Sequence, residues 1–242
     1  MKHFVKVLSL VILFSACGRS FYKTPLDKLI ISLQDEPTFT IILQDMETQG
    51  FLTKKYLHQY KIITENNGEP EVHVTDWKEV PENFFWKHEN DLGMEIASKS
   101  EDGTLSKTPA PPGYGNYVGN EKYGQWVERD GGSFWEFYGK YAMLRSVFYM
   151  MGSPIGYGGY YDWNRNYRGY RPYYGSKDTY GRRQYGTYGS NTKKSNPNFF
   201  QRQQQKTGWK SSTSQKSPSY DRNRTNSFGS SSYRSRTGSF GK

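Results

Sequence analysis

The sequence predicts an α+β protein: a small domain of helices and antiparallel strands, followed by an aromatic helix and a long disordered basic tail. Before residue 105, turn-forming residues separate one amphipathic run and several short β-branched runs, which is typical of a small mixed fold. Charge also divides the chain. Residues 151–242 contain 17 basic and 3 acidic residues, whereas the net charge of the whole 242-residue chain is only +10. A single globular domain spanning the chain is therefore not expected.

The C-terminal part is also poor in aliphatic side chains. Residues 151–242 contain one branched aliphatic residue, Ile155, beside 12 tyrosines and 13 glycines. Such a segment is expected to bury too little apolar surface to offset the entropy lost on folding. We therefore expect a core within about the first 150 residues only. Residues 152–242 are expected to be a disordered tail, rich in Tyr, Gly and Arg at first and in Ser and Arg toward the end.

The small α+β domain is predicted to span residues 24–105 and to begin with a helix. Residues 24–27 (TPLD) have the pattern of a capping box with proline at the first helical position. Apolar residues recur at helical spacing over residues 26–33, so the helix is expected there. The β-branched run at 38–43 (TFTIIL) predicts the first strand.

A β-hairpin is predicted next. Asn66-Asn67-Gly68 is a sequence that tolerates positive φ, so it suits a tight turn between two strands. This turn would place Ile62, and not His58, opposite His73. The hairpin strands are expected at 56–64 and 72–80, followed by a helix at 81–92 that stops at Gly93, a strand at 94–99 and a turn at 100–103.

Two aromatic segments follow the small domain. Residues 106–132 are rich in Pro, Gly and Tyr and are expected to form a connector, with a strand at 125–129 and a turn at 130–132. Residues 133–151 have aromatic and apolar side chains every three or four positions, which predicts a helix. Its Glu136 and Arg145 fall on opposite faces. This favours packing in a core or docking on a protein partner over the alternative, a helix lying in a membrane interface.

The first seventeen residues have the pattern of an export signal. A basic start is followed by the apolar run 7–14 (VLSLVILF) and by the small residues Ser15 and Ala16 before Cys17, the only cysteine of the chain. The apolar run is shorter than the roughly 20 residues that a membrane-spanning helix needs. The pattern therefore indicates a secretory signal. The alternative is a buried N-terminal strand with a chance cysteine.

The sequence Phe14-Ser15-Ala16-Cys17 resembles the lipobox of bacterial lipoproteins, with Phe14 where that family usually has leucine. The resemblance implies that residues 1–17 hold the signal peptide and lipidation site, that Cys17 carries acyl chains such as palmitate, and that residues 18–23 form a tether. Gly18 follows the cysteine instead of Asp, which implies transfer beyond the inner membrane. An anchor in the outer membrane, facing the periplasm, is expected. Lipidation would leave no free thiol for disulfide or metal chemistry.

Catalytic motifs are missing from the sequence. No P-loop, nucleophile elbow or dinucleotide fingerprint is present. The spacing of His58, His73 and His88 does not suit a zinc site, and these side chains are expected at the surface. We therefore expect no catalytic residue, no metal and no cofactor, and a protein that is not an enzyme. An enzyme with a fold that its sequence does not reveal is an alternative.

The basic tail carries the functional prediction. Arginine spaced among tyrosines suits multi-site contact with phosphates or carboxylates. For an exported protein these would be envelope polyanions: anionic lipid, lipopolysaccharide or peptidoglycan. The candidate polyanion-binding residues are Arg165, Arg168, Arg171, Arg182, Arg183, Lys193, Lys194, Arg222, Arg224, Arg234 and Arg236.

Other interpretations of the tail remain open. On composition alone an Arg/Gly/Tyr-rich tail is typical of nucleic-acid-binding proteins, although an exported protein would meet little nucleic acid. A merely solubilising extension is a further alternative. The segments 133–152 and 228–241 are similar in composition to the C-termini of some uncharacterised bacterial envelope lipoproteins, which implies no particular activity. The predicted function is a structural or adaptor lipoprotein, with residues 133–151 as a possible protein-docking segment.

Overall fold

The computed structural model, which describes residues 23–50, 52–148 and 154–205, contains a six-stranded antiparallel sheet and a separate two-stranded hairpin. The strands are β1 (Phe39–Gln49), β2 (Lys55–Asn66), β3 (Glu69–Val74), β4 (Lys78–Val80), β5 (Glu95–Lys99), β6 (Leu105–Ser106), β7 (Gly124–Arg129) and β8 (Gly132–Phe137). The helices are α1 (Pro25–Ser32), α2 (Glu82–Lys87), α3 (Ala142–Phe148), α4 (Tyr157–Asn166), α5 (Ser190–Ser195) and α6 (Pro197–Gln205), and a 3-10 turn at Gly139–Tyr141 precedes α3. These helices and antiparallel strands confirm the predicted α+β class.

The first two elements form where the sequence predicts them. Thr24 Oγ1 accepts a hydrogen bond from the Asp27 amide, and the Asp27 carboxylate accepts one from the Thr24 amide, so the capping box that starts α1 is present. Strand β1 is longer than the predicted 38–43. It continues past a bulge between Leu43 and Asp45 because the polar residues beyond the bulge still pair with β2.

The predicted hairpin is also confirmed. Asn67 and Gly68 have φ values of 52° and 81°, as the tight turn between β2 and β3 requires. Ile62 lies opposite His73, in the register expected from that turn. The order of the six-stranded sheet is β3-β2-β1-β5-β6, and β4 pairs with the first residues of β2. The hairpin therefore supplies one edge of the sheet and β6 the other.

Both faces of the sheet are covered. On one face, the β2 side chains of Tyr56 and His58 pack against Phe85 of α2, with ring centroids 5.2 Å apart in both pairs. On the other face, Ile42 and Ile63 contact a cluster that we call the aromatic core. The aromatic core also contains Ala110, Tyr114, Tyr117, Val118, Tyr123, Trp135, Phe137, Tyr141, Leu144, Phe148, Ile155, Trp163 and Tyr173.

The prediction of one aromatic helix over residues 133–151 is wrong for its first part. Residues 133–137 belong to strand β8, because Trp135 and Phe137 alternate toward the core and the 130–132 turn joins this strand to β7. In the rest of the described segment, the 3-10 turn at Gly139–Tyr141 leads into α3, which buries Leu144 and Phe148 in the aromatic core. Residues 149–151 lie outside the described residues. The described part of this segment therefore packs its buried side chains in the aromatic core.

Residues 106–132 are not a connector between separate parts. Ala110 forms a β-bridge with Glu95, and Tyr114 and Tyr117 are buried in the aromatic core. The loop approaches the sheet closely because a Cβ atom at Gly115 would lie only 2.2 Å from the Glu95 carboxylate. The folded domain therefore continues beyond residue 105, contrary to the predicted boundary.

The prediction that the tail is disordered from residue 152 is wrong for residues 154–205. The rings of Trp163, Tyr173 and Phe199 are buried, so aromatic side chains supply the apolar burial that aliphatic residues were expected to lack. Thr187 donates to the Glu89 carbonyl and accepts from the Leu92 amide, which joins this segment to the turn after α2. Residues 206–242 lie outside the described residues.

Helix α6 is held by a polar contact with the sheet. Arg202 Nη2 donates to Asp45 Oδ2 at 2.6 Å, beside the bulge of β1, and its guanidinium lies 6.0 Å from the centre of the Trp77 ring. Asn196 donates to the Gln44 carbonyl at 3.0 Å. Arg202 is therefore a structural residue, which explains how a segment with few aliphatic side chains docks on the sheet.

Candidate polyanion-binding surface

Three of the predicted binding residues follow one another along α4 and the turn after it. Helix α4 is held by Trp163, which is buried in the aromatic core. Arg165 lies in the last turn of the helix, where a cation interacts favourably with the helix dipole. Arg168 and Arg171 lie in the turns that follow, at the same three-residue spacing. We call the segment 165–171 the arginine turn.

Each arginine of this segment contacts an aromatic ring. The guanidinium carbon of Arg168 lies 5.5 Å from the centre of the Trp163 ring, and that of Arg171 lies 4.2 Å from the centre of Tyr167. Arg165 donates to the Tyr161 hydroxyl at 2.7 Å. A ring below a guanidinium orients it and leaves its outward N–H groups free to donate.

The arginine turn forms no salt bridge within the described parts of the chain, although, after backbone hydrogen bonding, the charge of Arg168 helps to lower the pKa of Asp102 across the neighbouring cleft. Among the described residues, none of Arg165, Arg168 and Arg171 forms a salt bridge, and the first two are exposed while the third is half-buried. Tyr170, between Arg168 and Arg171, is 89% exposed. The arrangement offers three cations and an open aromatic ring to a partner that carries several negative groups.

The second group of predicted residues is only partly available. Arg182 forms a salt bridge of 2.8 Å with Asp178, so its charge is compensated within its own turn. Arg183 stacks on the Tyr174 ring at 5.2 Å, and its carbonyl accepts from the Ser190 amide, which brings it close to α5. The two lysines of α5, Lys193 and Lys194, are exposed. The remaining candidates, Cys17, Arg222, Arg224, Arg234 and Arg236, lie outside the described residues.

Two clefts flank Arg168, which the sequence alone did not reveal. One has a volume of about 550 Å³ and lies between the turn at 100–102 and the loop at 115–121. The other has a volume of about 190 Å³ and is lined by Leu105, Lys107 and Trp163 as well as Arg168. Arg168 therefore lies at the junction of the arginine turn with the β6 edge of the sheet.

Glu95 lines the smaller cleft but is itself buried. Its carboxylate accepts a hydrogen bond of 3.1 Å from the Gly113 amide, and burial raises its pKa to about 7 against the opposing effect of Ser98 and of the Gly113 and Gly115 amides. A raised pKa beside a cleft is typical of functional carboxyls. Here, however, the carboxyl is held by Ser98 of β5 and by amides of the loop that covers it, so its observed role is to fasten that loop to β5.

The expectation of surface histidines is wrong for His58 and His88. Both are buried, with their ring centroids 6.3 Å apart, because alternate β2 residues, among them His58, face α2 and His88 directly follows that helix. Nδ1 of His88 lies 2.8 Å from Asp91, which also accepts a hydrogen bond of 2.7 Å from Tyr174. Burial, with a smaller effect of His88, lowers the pKa of His58 to about 3. His73 is exposed, as expected.

These histidines do not form a metal site. Within the described parts of the chain, no three His, Cys, Asp or Glu side chains gather closely enough to hold a metal ion. The alternation Tyr56, His58, Tyr60 along β2 is the sequence signal that would have indicated burial. The contacts of Asp91 with His88 and Tyr174 instead link the turn after α2 to residues 154–205.

None of the helices in the described residues has the length and apolar character to span a bilayer. Comparisons with protein-family models, with curated proteins and with solved structures find no match to this chain. Its function is therefore inferred from its own residues; among those that the structure describes, the arginine turn places three cations that form no salt bridge on consecutive turns.

Proposed function

We propose that the chain is a bacterial envelope lipoprotein, anchored to the outer membrane through lipid on Cys17 and facing the periplasm. It acts as a non-enzymatic structural or adaptor component, and its basic C-terminal part binds an envelope polyanion: anionic lipid, lipopolysaccharide or peptidoglycan. The lipobox-like sequence at Phe14–Cys17 supports the anchor. The single observation that supports polyanion binding is the arginine turn, with three cations that form no salt bridge among the described residues, two of them exposed.

The arginine turn has a defined conformation, which strengthens this proposal. In a disordered tail each arginine would lose conformational freedom on binding, whereas here Arg168 and Arg171 already stack on Trp163 and Tyr167. Each cation near an anionic membrane contributes about 1 kcal/mol. Three such residues would therefore strengthen binding by about 3 kcal/mol, or roughly 100-fold.

A direct test uses charge substitutions in a chain that begins at Gly18, which keeps every described residue. Replacing Arg165, Arg168 and Arg171 by glutamine should weaken binding to phosphatidylglycerol vesicles by about 100-fold at low salt. Wild-type binding should itself fall steeply as salt rises to physiological strength, because these charges are exposed. Truncation after residue 152 is not a suitable test, since it removes Trp163, Tyr173 and Phe199 from the folded domain.

A matched control removes the same charge elsewhere. Lys54, Lys87 and Lys140 are exposed, form no salt bridge among the described residues and lie at the β1–β2 tip, the end of α2 and the 3-10 turn before α3. Replacing these three by glutamine should leave vesicle binding nearly unchanged if the arginine turn is the binding surface. Equal loss in both triple variants would contradict a defined surface.

The alternative function is nucleic-acid binding, which one observation favours. Tyr170 and Tyr180 are 89% and 81% exposed, and each is next to or near an arginine, an arrangement that allows bases to stack. Salt-tolerant binding of a single-stranded RNA oligonucleotide in preference to vesicles would support this alternative and contradict the envelope proposal.

A further inference from the structure

One exposed face of the domain combines the start of the folded chain, two exposed aliphatic side chains and the arginine turn. Ile31 of α1 and Leu105 of β6 are 45% and 47% exposed, although most aliphatic side chains in the described residues are buried. The hydrogen bonds around β6 show that these two side chains lie on the same side of the sheet.

Register places Leu105 on the side of α1. Leu105 is directly opposite Lys99 in the β5–β6 pair, so both side chains lie on the same face of the sheet. The Lys99 amine donates to the carbonyls of Gln34 and Glu36, in the turn that follows α1. The Leu105 side chain is therefore on the face that α1 covers.

A salt bridge between Lys107 and α1 shows that Ile31 lies near Leu105. Lys107, two residues after Leu105, donates to the Asp27 carboxylate of α1. Asp27 and Ile31 are four residues apart in the helix, so they lie on the same side of α1. Ile31 and Leu105 thus flank the Lys107–Asp27 salt bridge.

The arginine turn adjoins this patch across the edge strand. The smaller cleft is lined by Leu105 and Lys107 on one side and by Arg168 and Gly169 on the other. Tyr170, the next residue, is almost fully exposed. Ile31, Leu105, Lys107, Arg168 and Tyr170 therefore belong to one surface around β6, which we call the β6 face.

The proposed anchor lies next to this face in the chain. Only residues 18–24 separate Cys17 from the start of α1, and seven residues extend at most about 25 Å. Lipidation at Cys17 would hold α1 within that distance of the bilayer. Exposed Lys23 and Lys28 add positive charge there, while Asp35 and Glu36 follow α1 and reduce it. Because these charges partly cancel, a fixed orientation of the domain on the bilayer requires apolar contact as well as charge.

We propose that the β6 face is the membrane-docking surface of the protein, with Ile31, Leu105 and Tyr170 entering the interface of an anionic phospholipid bilayer. Lys28 and Arg168 contact the headgroups around them. Basic residues surrounding a few apolar and aromatic side chains are the combination that binds at a bilayer interface. This inference rests on the proposed lipid anchor and makes the polyanion the lipid bilayer itself.

Leu52 provides a matched control for the orientation. It is 93% exposed, at the tip of the β1–β2 hairpin. The β6 edge adjoins the start of β1, where Phe39 pairs with Lys99, and the hairpin tip follows its end at Gln49. Ten residues of strand separate these ends by about 30 Å, so the bilayer cannot contact both closely.

The experiment reconstitutes the full-length chain into phosphatidylglycerol-containing vesicles after introducing a single reporter cysteine. Ile31→Cys, Leu105→Cys and Leu52→Cys variants carry an environment-sensitive fluorophore, and wild type, whose one cysteine is Cys17, gives the background labelling. Labels at positions 31 and 105 should shift their emission to shorter wavelength and be quenched by nitroxide-labelled lipid. The label at position 52 should show neither change. In phosphatidylcholine vesicles the quenching at 31 and 105 should decrease.

The outcomes separate this inference from the anchor on which it rests. Equal or stronger quenching at position 52, or no quenching at position 105 of vesicle-bound protein, would overturn the proposed orientation and leave the anchor in place. Equal partitioning of wild type and Cys17→Ala into vesicles would instead contradict lipid anchoring. Stronger capture of the chain by single-stranded RNA than by either vesicle would overturn both.

Discussion

Replacing the buried Glu95 by glutamine should make the fold more sensitive to acid. Burial raises the pKa of the Glu95 carboxyl to about 7, compared with 4.5 for an exposed glutamate. The folded protein then holds a proton that the unfolded chain releases between these pH values. This carboxyl therefore contributes stability that is fully present below about pH 4.5 and is lost as the pH rises through about 7. The difference corresponds to about 3 kcal/mol in the free energy of unfolding.

His58 has the opposite effect in the same pH range. Its pKa is lowered from 6.5 to about 3, so the unfolded chain takes up a proton that the folded protein excludes. Stability from His58 is present above pH 6.5 and is lost as the pH falls toward about 3. Between pH 4.5 and 6.5 the two contributions offset each other in the wild type. Glu95→Gln leaves the His58 contribution without this offset.

Urea unfolding followed by tryptophan fluorescence between pH 7.5 and 4.5 measures the difference. Relative to wild type, Glu95→Gln should lose about 3 kcal/mol of stability over this range. Glu121→Gln, at an exposed glutamate of the adjacent loop, is the matched control and should follow the wild-type pH profile. Parallel profiles for wild type and Glu95→Gln would refute the assignment of a protonated, buried carboxyl.

Three further predictions concern the packing of the domain. His58→Phe leaves the Glu95 contribution without its offset, so between pH 6.5 and 4.5 the variant should gain about 2 kcal/mol of stability relative to the wild type in the same unfolding assay. Gly115→Ala should destabilise the fold by about 3 kcal/mol, because its Cβ would lie 2.2 Å from the Glu95 carboxylate, whereas Gly139→Ala, with no atom within 4 Å of its Cβ, should have little effect. An equal melting temperature for these two variants would contradict the close approach. Tyr174→Phe removes the hydrogen bond to Asp91 and should cost about 2 kcal/mol, and limited proteolysis should then cleave first within residues 173–205; unchanged cleavage would contradict the proposed link.

Local signals account for what the sequence predicts correctly. The capping box at Thr24 and the turn at Asn67-Gly68 are each decided by a few neighbouring residues, so α1 and the register of β2 and β3 follow from them. The segment 133–137 was ambiguous because its aromatic residues satisfy both strand and helix spacing. Pairing with β7 decides in favour of a strand, and that pairing depends on the turn at 130–132.

The ordered structure of residues 154–205 does not follow from the sequence, because the scarcity of aliphatic side chains there says nothing about burial of aromatic rings. Trp163, Tyr173 and Phe199 bury aromatic surface instead, and Thr187 and Arg202 add polar contacts to residues more than 90 positions earlier in the chain. Contacts of such long range leave no local pattern in the sequence. Composition alone identifies the arginines. Their stacking on aromatic rings and their position beside β6 depend on the ordered packing of residues 154–205.

Metabolic labelling with radioactive palmitate, followed by cell fractionation, tests most directly the claim that this chain is a lipid-anchored envelope protein. If Cys17 is acylated, the wild-type chain should incorporate label and fractionate with membranes. Cys17→Ala should incorporate none and keep an unprocessed N-terminus, since Cys17 is the only cysteine available for acylation. Equal labelling of the two chains, or an unlabelled wild-type chain in the cytoplasmic fraction, would contradict that claim.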